Sequence, residues 1–427
     1  MTIVGLDDTD SRDGGMCTTY LAALLADRLR ERGAHVERLL LVRLNPAIEH
    51  KTRGNAALAL HTDSEPASAF ELARELVDRH AVTSDPNTNP GLVVAPHAPD
   101  DVPQELATFA VGGVRDRHKR ADAHNVIDAH DFRARGWKNG RGLIGALAAV
   151  GAWRAFDDWT CECITYRPPA RWGTSRDVDG ESVFAAASEA YPAVWDTVDW
   201  ATGDVVCTPH TPCPVLYGIR GDDPGAVRAV SEGIESEPVE RTALFVTNQG
   251  TDAHLRDGTM AGVTDGGSYR IGGVVDAPPE SRRGGHVFVP LRDDGRTIEC
   301  VAFEPTKRFR EHVRSLRPGD RILACGEVSD GTLKLEKFAV RDLVTTERVS
   351  PPCPSCDRTM KSAGADQGYR CRDCGTHADG TLERPLDRTL QVGWYEVPPA
   401  ARRHLAKPLV RGGFDAPTHP STDPPAK

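Results

Sequence analysis

The chain has 427 residues, of which 39% are hydrophobic and 27% charged, and its formal net charge is −10. This composition indicates a folded protein with several cores and excludes a wholly disordered chain. No apolar run approaches the roughly 18 residues of a membrane-spanning helix. Asp7 and Asp8 interrupt any N-terminal export signal. We therefore expect a cytoplasmic protein without a membrane partner.

The charge is unevenly distributed along the chain. Residues 1–280 carry 27 Lys and Arg against 42 Asp and Glu, whereas residues 281–427 carry 25 against 20. The two stretches have net charges of −15 and +5. A basic rear part on an acidic protein indicates contact with a polyanion. The low lysine count and the many acids also fit a halophilic, salt-adapted cytosol.

The chain opens with a strand, an acidic loop and a helix. Thr2-Ile3-Val4 is typical of a strand, and the stretch GLDDTDSRDGGMCTTY follows at residues 5–20. Leu21, Leu24, Leu25 and Leu29 then recur at helical spacing. The loop therefore leads into a helix whose first turn carries Thr18 and Thr19.

The acidic loop predicts a cation and phosphate site. A single aspartate could cap the helix, but Asp7, Asp8 and Asp10 would repel one another unless a cation neutralises them. We expect them to hold Mg²⁺ together with nucleotide phosphates. Thr18 would lie near the helix N-terminus, where backbone N–H groups favour phosphate, and its hydroxyl could accept a phosphoryl group. No GxxxxGK[ST] motif is present.

Strands and helices alternate from the acidic loop to about residue 238. The patterns predict strands at 35–44, 91–96, 160–168 and within 204–221, and helices at 66–80, 124–136, 140–152, 181–192 and 223–234. This order indicates an α/β or α+β region that is large enough for two subdomains.

Two further loops in this region could bind phosphate. Each combines cations with glycines that permit close backbone approach. The candidates are Lys51, Arg53, Gly54 and Asn55 in the first loop, and Lys138, Gly140, Arg141 and Gly142 in the second. Together with the acidic loop they fit one phosphoryl-transfer site.

The pattern changes after residue 239. Five strands are expected at 268–276, 286–292, 297–305, 320–328 and 332–340, with one helix between the third and the fourth. This order predicts an OB-fold β-barrel, a common platform for nucleic acids.

A zinc ribbon follows the barrel. Cys353-x₂-Cys356 and Cys371-x₂-Cys374 can supply four thiolates to a tetrahedral, structural Zn²⁺. The Pro-rich end of the chain from residue 412 is expected to be a disordered tail.

Five stretches of the sequence are similar to motifs of the TiaS family, in the order in which that family has them. They are GLDDTDSRDGGMCTTY, RLNPAIEHKTRGNAA, WKNGRGLIGALAAVGA, PHTPCPVLYGIRG and TNQGTDAHL. The resemblance covers roughly residues 1–400. TiaS proteins are archaeal 2-agmatinylcytidine synthetases that act on the isoleucine tRNA with a CAU anticodon.

The resemblance implies a multidomain α+β architecture. The expected parts are a kinase-like α/β domain (about 1–60 and 115–195), a ferredoxin-like domain (about 61–114 and 196–238), an OB-fold (239–345), a zinc ribbon (346–380) and a C-terminal extension (381–427).

The resemblance also implies an activity. The enzyme would use ATP, consumed to AMP, to phosphorylate the 2-oxo group of the wobble cytidine, and the amine of agmatine would then displace phosphate from C2, so that the tRNA decodes AUA. Thr18 matches the family's autophosphorylated threonine. Agmatine needs a carboxylate for its guanidinium group, and Asp196 and Asp199 are candidates. The tRNA is the expected nucleic-acid partner, and DNA is not.

Two other functions remain open on sequence alone. The OB-fold and zinc ribbon could form a single-stranded nucleic-acid binding protein without catalysis. The N-terminal half could instead be an ATP-dependent enzyme for a small molecule. Three acids in one loop favour an enzyme over the binding protein.

Overall fold

The computed structural model describes residues 1–49, 51, 54–365, 367–420 and 424. Arg53, one of the predicted phosphate ligands, lies outside these residues. None of the described helices combines the length and the apolar character that a membrane span requires.

The N-terminal region contains eleven strands and seven helices within the described residues. The strands are β1 (Thr2–Asp7), β2 (Val36–Arg43), β3 (Ala56–Thr62), β4 (Gly91–Ala95), β5 (Arg133–Gly136), β6 (Thr160–Tyr166), β7 (Val194–Trp195), β8 (Val198–Asp199), β9 (Asp204–Val205), β10 (Val215–Gly221) and β11 (Arg241–Thr247). The helices are α1 (Thr18–Glu31), α2 (Pro66–His80), α3 (Gln104–Arg115), α4 (Arg120–Ala129), α5 (Gly142–Ala155), α6 (Gly180–Ala190) and α7 (Pro224–Gly233).

One nine-stranded sheet runs through this whole region, in the order β5-β4-β1-β3-β2-β11-β6-β10-β7. Its neighbours are antiparallel except for β11 and β2, which are parallel. Alternate residues of the first strands pack against α3, α4 and α5 on one face and against α1 and α2 on the other. Helices α6 and α7 cover β6 and β10, where Cys161 and Cys163 lie in the core. The interleaved division into two subdomains stays a prediction.

Three details of the predicted secondary structure were wrong. Residues 133–136 form the edge strand β5, because α4 ends at Ala129 and Asp131 adopts a left-handed φ of 51° that turns the chain. Only Asp204–Val205 of the segment 204–209 is a strand. Helix α3 was not predicted.

The barrel has the strand order of an OB-fold, as predicted. Its elements are β12 (Leu255–Gly258), β13 (Ser268–Val275), β14 (Glu280–Ser281), β15 (Val287–Asp293), β16 (Arg296–Ala302), α8 (Phe309–Arg314), β17 (Arg321–Ser329) and β18 (Thr332–Asp342). Strand β13 pairs with β15, β15 with β16, β16 with β18, β18 with β17, and β17 again with β13. This cycle of pairings closes the barrel.

Seven short strands follow the barrel in the described chain. They are β19 (Thr346–Val349), β20 (Lys361–Ser362), β21 (Tyr369–Arg370), β22 (His377–Ala378), β23 (Leu382–Pro385), β24 (Gly393–Glu396) and β25 (Thr418–His419). We call residues 390–420 the C-terminal segment.

The C-terminal segment returns to the other domains. Strand β24 pairs with β18 of the barrel, and Phe414 packs on Trp394 with their ring centroids 5.2 Å apart. Leu405 is buried in the core of the N-terminal region. The prediction of a disordered tail was therefore wrong for residues 412–420, because the aromatic and strand contacts offset the entropy of ordering.

A buried ion pair joins the barrel, the N-terminal region and the C-terminal segment. Nζ of Lys337 lies 2.8 Å from both carboxylate oxygens of Asp252 and donates to the carbonyl of Lys407 at 2.7 Å. The Lys337 side chain is 1% exposed. Removing one partner of such a pair leaves an uncompensated buried charge.

We expect Asp252→Asn to lower the free energy of unfolding by about 3–5 kcal/mol, the usual cost of breaking a buried pair from one side. Chemical denaturation monitored by tryptophan fluorescence would measure this. Glu75→Gln, which breaks an exposed pair with Arg79 on α2, is the control and should cost under about 1 kcal/mol. Equal effects of the two substitutions would contradict the assigned role of Asp252.

Candidate active site

A cavity of about 930 Å³ opens where the N-terminal region, its central sheet and the C-terminal segment meet. The acidic loop forms one wall, and the loop of residues 204–213 forms another. Leu41, Arg43, Glu162, Ile164 and Arg220 form the floor. They alternate along β2, β6 and β10, so they share one face of the sheet.

Close packing of α5 against β1 places Asp7. A Cβ atom on Gly5 would lie 2.2 Å from the carbonyl oxygen of Ala146, and one on Gly145 would lie 2.1 Å from Oδ2 of Asp7. Only glycine permits this approach. The carboxylate at the end of β1 is therefore held against the helix, at the edge of the cavity.

Asp8 is fixed by its own partners. It adopts a φ of 56°, which turns the chain after β1. Its Oδ2 accepts hydrogen bonds from Nη2 of Arg141 at 3.0 Å and from the backbone N–H of Asn89 at 3.1 Å. Arg141 is thus the member of the second predicted phosphate loop that reaches the acidic loop.

Burial and neighbouring negative charge disfavour the ionised carboxylates of the acidic loop. Burial raises the pKa of Asp7 well above its usual range, and the charge of Asp8 raises it further. Burial also raises the pKa of Asp8 to about 6, although Arg141 opposes this. Asp10 is 8% exposed and lines the same cavity. Buried carboxylate oxygens with this excess of negative charge fit a hard divalent cation.

Thr18 begins α1 beside the aspartates. Its Oγ1 accepts hydrogen bonds from the hydroxyl of Thr9 at 3.0 Å and from the N–H of Thr9 at 3.4 Å. The first turn of this helix carries no acidic residue that would repel an anion. Both Thr18 and Thr19 line the cavity. The N–H groups of this helix end can therefore receive an anion.

The predicted phosphate residues separate into two groups. Lys51, Gly54, Asn55 and Arg141 line the cavity. Lys138 instead donates to the carbonyl of Asp85 at 2.6 Å, and the N–H of Gly142 donates to the carbonyl of Asn89 at 2.9 Å.

The cavity lining does not include Lys138, Gly140 or Gly142. These residues instead support the backbone of the loop that carries Arg141. A Cβ atom on Gly142 would lie 2.5 Å from the backbone nitrogen of Gly91. This contact explains the glycine by packing against β4 rather than by phosphate binding.

The motif TNQGTDAHL is buried except at residues 251–253, which are half-buried, and its polar side chains bond other parts of the protein. Asn248 accepts from the N–H of Arg43 at 2.7 Å and donates to the carbonyl of Arg43 at 3.0 Å. Gln249 donates to Oε2 of Glu162 at 2.5 Å. The motif therefore holds two charged residues of the cavity floor, Arg43 and Glu162, of which Glu162 lies outside every motif that the sequence analysis singled out.

The two predicted agmatine ligands lie outside the cavity wall. Asp196 is 3.3 Å from Nη1 of Arg402 and 3.9 Å from Nη1 of Arg220. Asp199 accepts from both terminal nitrogens of Arg308 at 2.8 and 3.0 Å. The hairpin of β8 and β9 nevertheless pairs Asp199 with Asp204, and Asp204 lines the cavity.

The C-terminal segment also contributes to the cavity. Pro399, Ala400, Arg402 and His404 line it. No spacing motif marks these residues in the sequence, because they lie far from Arg220 and Glu162 along the chain.

The zinc ribbon has the expected four thiols together. Sγ atoms of Cys353, Cys356, Cys371 and Cys374 lie within 4.8 Å of one another. Backbone turns at each pair orient the sulfurs, as where the N–H of Gly375 donates to the carbonyl of Cys371. Four thiolates at this separation fit a structural zinc site.

Family models cover most of the chain. The TiaS TCKD domain matches residues 3–138, the TiaS FLD domain 140–254, an OB-fold nucleic acid binding domain 269–336, and the TiaS C-terminal zinc ribbon domain 350–390.

Similar proteins extend over the same length. The isoleucine-tRNA 2-agmatinylcytidine synthetase TiaS of Haloquadratum walsbyi is 52% identical over 98% of this chain and 100% of its own. That of Methanosarcina mazei is 47% identical over 96% and 97%.

Solved structures agree with these relatives. A complex of TiaS with its isoleucine tRNA and ATP matches with a TM-score of 0.88 and 43% identity, covering 97% of this chain and 98% of its own. A complex of TiaS with the same tRNA, AMPCPP and agmatine matches with 0.85 and 40%, at the same coverage. Domain order, cavity and full-length similarity agree, and the chain belongs to the TiaS family.

Proposed function

We propose that the protein is an ATP-dependent ligase that joins agmatine to C2 of the wobble cytidine in the CAU anticodon of an isoleucine tRNA. The observation that carries this proposal is the cavity in which the buried acidic loop faces Thr18 and the first turn of α1. Relatives along the full chain carry this activity in their name. The protein would act in the cytoplasm, where tRNA is available.

The chemistry requires activation of a poor leaving group. Transfer of a phosphoryl group to the cytosine 2-oxo atom converts it into a phosphate ester, which an amine can displace. Mg²⁺ bound by Asp7, Asp8 and Asp10 would neutralise charge on the nucleotide phosphates. Arg141, fixed on Asp8, and the N–H groups at the start of α1 are placed to position these phosphates.

Thr18 is the proposed phosphoryl acceptor of the acidic loop. Its hydroxyl oxygen receives two hydrogen bonds from Thr9, which fix its position at the first turn of α1. The predicted phosphate ligands Lys51, Gly54 and Asn55 lie on the same cavity. The proposed role of Lys138, Gly140 and Gly142 is indirect, through Arg141.

The target base must leave its stack to reach this cavity, as in other enzymes that act on a base. The cavity volume of about 930 Å³ can accommodate a nucleobase together with part of a nucleotide. Its charged floor does not suit the alternative of a plain single-strand binding protein, for which stacking surfaces and a basic groove suffice.

The direct test is incubation of the protein with ATP, Mg²⁺, agmatine and the tRNA in high KCl, followed by digestion and mass spectrometry of the nucleosides. We expect a cytidine heavier by agmatine minus water. Asp8→Asn keeps the size and the acceptor oxygen of this side chain but removes its charge, and should lower the rate at least about 100-fold. Glu71→Gln on the exposed face of α2 is the control. Unmodified cytidine with folded, tRNA-binding protein would overturn the proposal.

The titration of Asp8 predicts a pH dependence of cation binding. Its pKa in the protein without a cation is about 6, raised by burial from 3.8. The folded protein therefore binds this proton more tightly than the unfolded chain, so this group stabilises the fold without a cation as the pH falls from about 6 towards 4. Mg²⁺ requires the ionised form.

We therefore expect the affinity for Mg²⁺–ATP to fall steeply below about pH 6. Isothermal titration calorimetry of wild type and Asp8→Asn between about pH 5 and pH 8 would measure this. The variant should bind weakly with a flatter pH dependence. An unchanged wild-type affinity across this range would contradict the assignment of Asp8 as a cation ligand.

The proposed agmatine carboxylate is Asp199, supported by its pairing with Asp204 across the β8–β9 hairpin. Asp196 is the second candidate and lies beside Arg220 of the cavity floor. A guanidinium ligand at Asp199 would replace Arg308.

We expect Asp199→Asn to raise KM for agmatine about tenfold or more while KM for ATP stays unchanged, because the variant loses the charge that would pair with the guanidinium group. Steady-state kinetics with agmatine as the varied substrate would measure this, with Asp257→Asn as an exposed control. If KM for ATP and agmatine rise equally, the carboxylate supports the fold and does not select agmatine.

A further inference from the structure

His404 of the C-terminal segment faces the catalytic cavity and has no assigned role. It lines the cavity with Pro399, Ala400 and Arg402. The Nε2 and Cδ2 atoms of its ring lie 3.4 Å from the position that a Cβ on Gly54 would occupy. The imidazole is therefore beside Gly54, in the loop that also carries the cavity residues Lys51 and Asn55.

A backbone hydrogen bond fixes the main chain of His404. The carbonyl of His404 accepts from the N–H of Gly250 at 2.7 Å, within the TNQGTDAHL motif. Its Nδ1 is buried and has no hydrogen-bond partner among the residues that the structure describes. A buried nitrogen without a partner is costly unless a ligand or a reaction uses it.

The charged groups around His404 keep the ring neutral. Burial lowers the pKa of His404 well below its usual range, and the positive charges of Arg43 and Arg220 lower it further. Glu162 lies 3.9 Å from Arg43 and 3.5 Å from Arg220 and offsets these charges in part. The flanking arginines are directed elsewhere, Arg402 to Glu396 at 3.0 Å and Arg403 to Glu336 at 3.0 Å.

A neutral imidazole in this cavity is a proton acceptor, and the proposed reaction releases one proton that needs an acceptor. The attacking nitrogen of agmatine must be an uncharged amine. The C2–N bond forms as the C2–O bond breaks, and phosphate leaves with the electron pair of that bond. The nitrogen bonded to C2 then carries one proton more than it does in the product, and this proton must be removed.

We propose that His404 accepts this proton and is a catalytic residue supplied by the C-terminal segment. The inference rests on the proposed function and extends it to the second chemical step. The cationic floor of Arg43 and Arg220 supports this step in two ways. It favours the uncharged form of a nearby amine, and the negative phosphate ester, once formed there, offsets the two arginines and raises the basicity of the ring.

His404 lines the cavity, and this position distinguishes it from His61. His61 on β3 is also buried, and neither of its ring nitrogens has a partner among the described residues. Burial lowers the pKa of His61 to about 3. His61 packs against Trp153 and does not line the cavity. It therefore offers a matched control for the loss of a buried neutral imidazole.

The test separates the two chemical steps in single-turnover experiments with full-length enzyme. Transfer of labelled phosphate from ATP to the tRNA, with agmatine left out, reports the first step, and formation of the agmatine-modified cytidine reports the second. We expect His404→Ala to retain tRNA binding and phosphoryl transfer to the tRNA but to form the modified nucleoside about 100-fold or more slowly. His61→Ala should leave both steps unchanged at a temperature where its melting curve shows a folded protein.

Chemical rescue provides the second readout. Added imidazole should restore part of the rate of His404→Ala and have no effect on His404→Gln, whose side chain fills the site. Unchanged nucleoside formation in His404→Ala, or a loss that imidazole does not restore in folded protein, would overturn the proposal. If wild-type enzyme forms no modified cytidine, the proposed function fails instead, so the two failures are distinguishable.

Discussion

Buried hydrogen bonds of residues 247–254 hold the parts of this protein in their relative positions. Asn248 bonds both backbone groups of Arg43, and Gln249 bonds Glu162, so the cavity floor is fixed from the end of β11. Gly250 and Asp252 bond the C-terminal segment. Breaking this set would leave several polar groups buried without partners, which is why a short polar motif can lie largely inside the protein.

The same motif links the domains by charge. Asp252 neutralises Lys337 of the barrel, and His254 lies 2.9 Å from Glu336, the neighbouring residue on β18. Glu336 in turn pairs with Arg403 of the C-terminal segment. The OB-fold is thereby connected through three short contacts to the residue beside His404. The catalytic cavity and the barrel are held as one unit.

The acidic loop, in contrast, lowers the stability of the fold in favour of function. Glycines bring α5 onto Asp7, and burial raises the pKa of both Asp7 and Asp8. A protein selected for stability alone would not place these carboxylates side by side, away from water. Their cost is consistent with a cation that neutralises them during the reaction, and Arg141 supplies only part of that charge.

Features encoded by neighbouring residues could be predicted from the amino-acid sequence alone. The set of residues that line the cavity could not. Strand and helix periodicity predicted β1, α1 and the five barrel strands, and the Cys spacing predicted the zinc ribbon, because knuckle turns bring such pairs together. Arg43, Glu162, Arg220 and His404 come from four separate parts of the chain, and no spacing relates them. Side-chain alternation predicts a face of a strand, but the order of strands in the folded sheet decides which faces meet. Burial and pairing likewise depend on contacts that no single segment encodes, so only the fold could assign Gly142 to packing and give Asp196 and Asp199 their arginine partners.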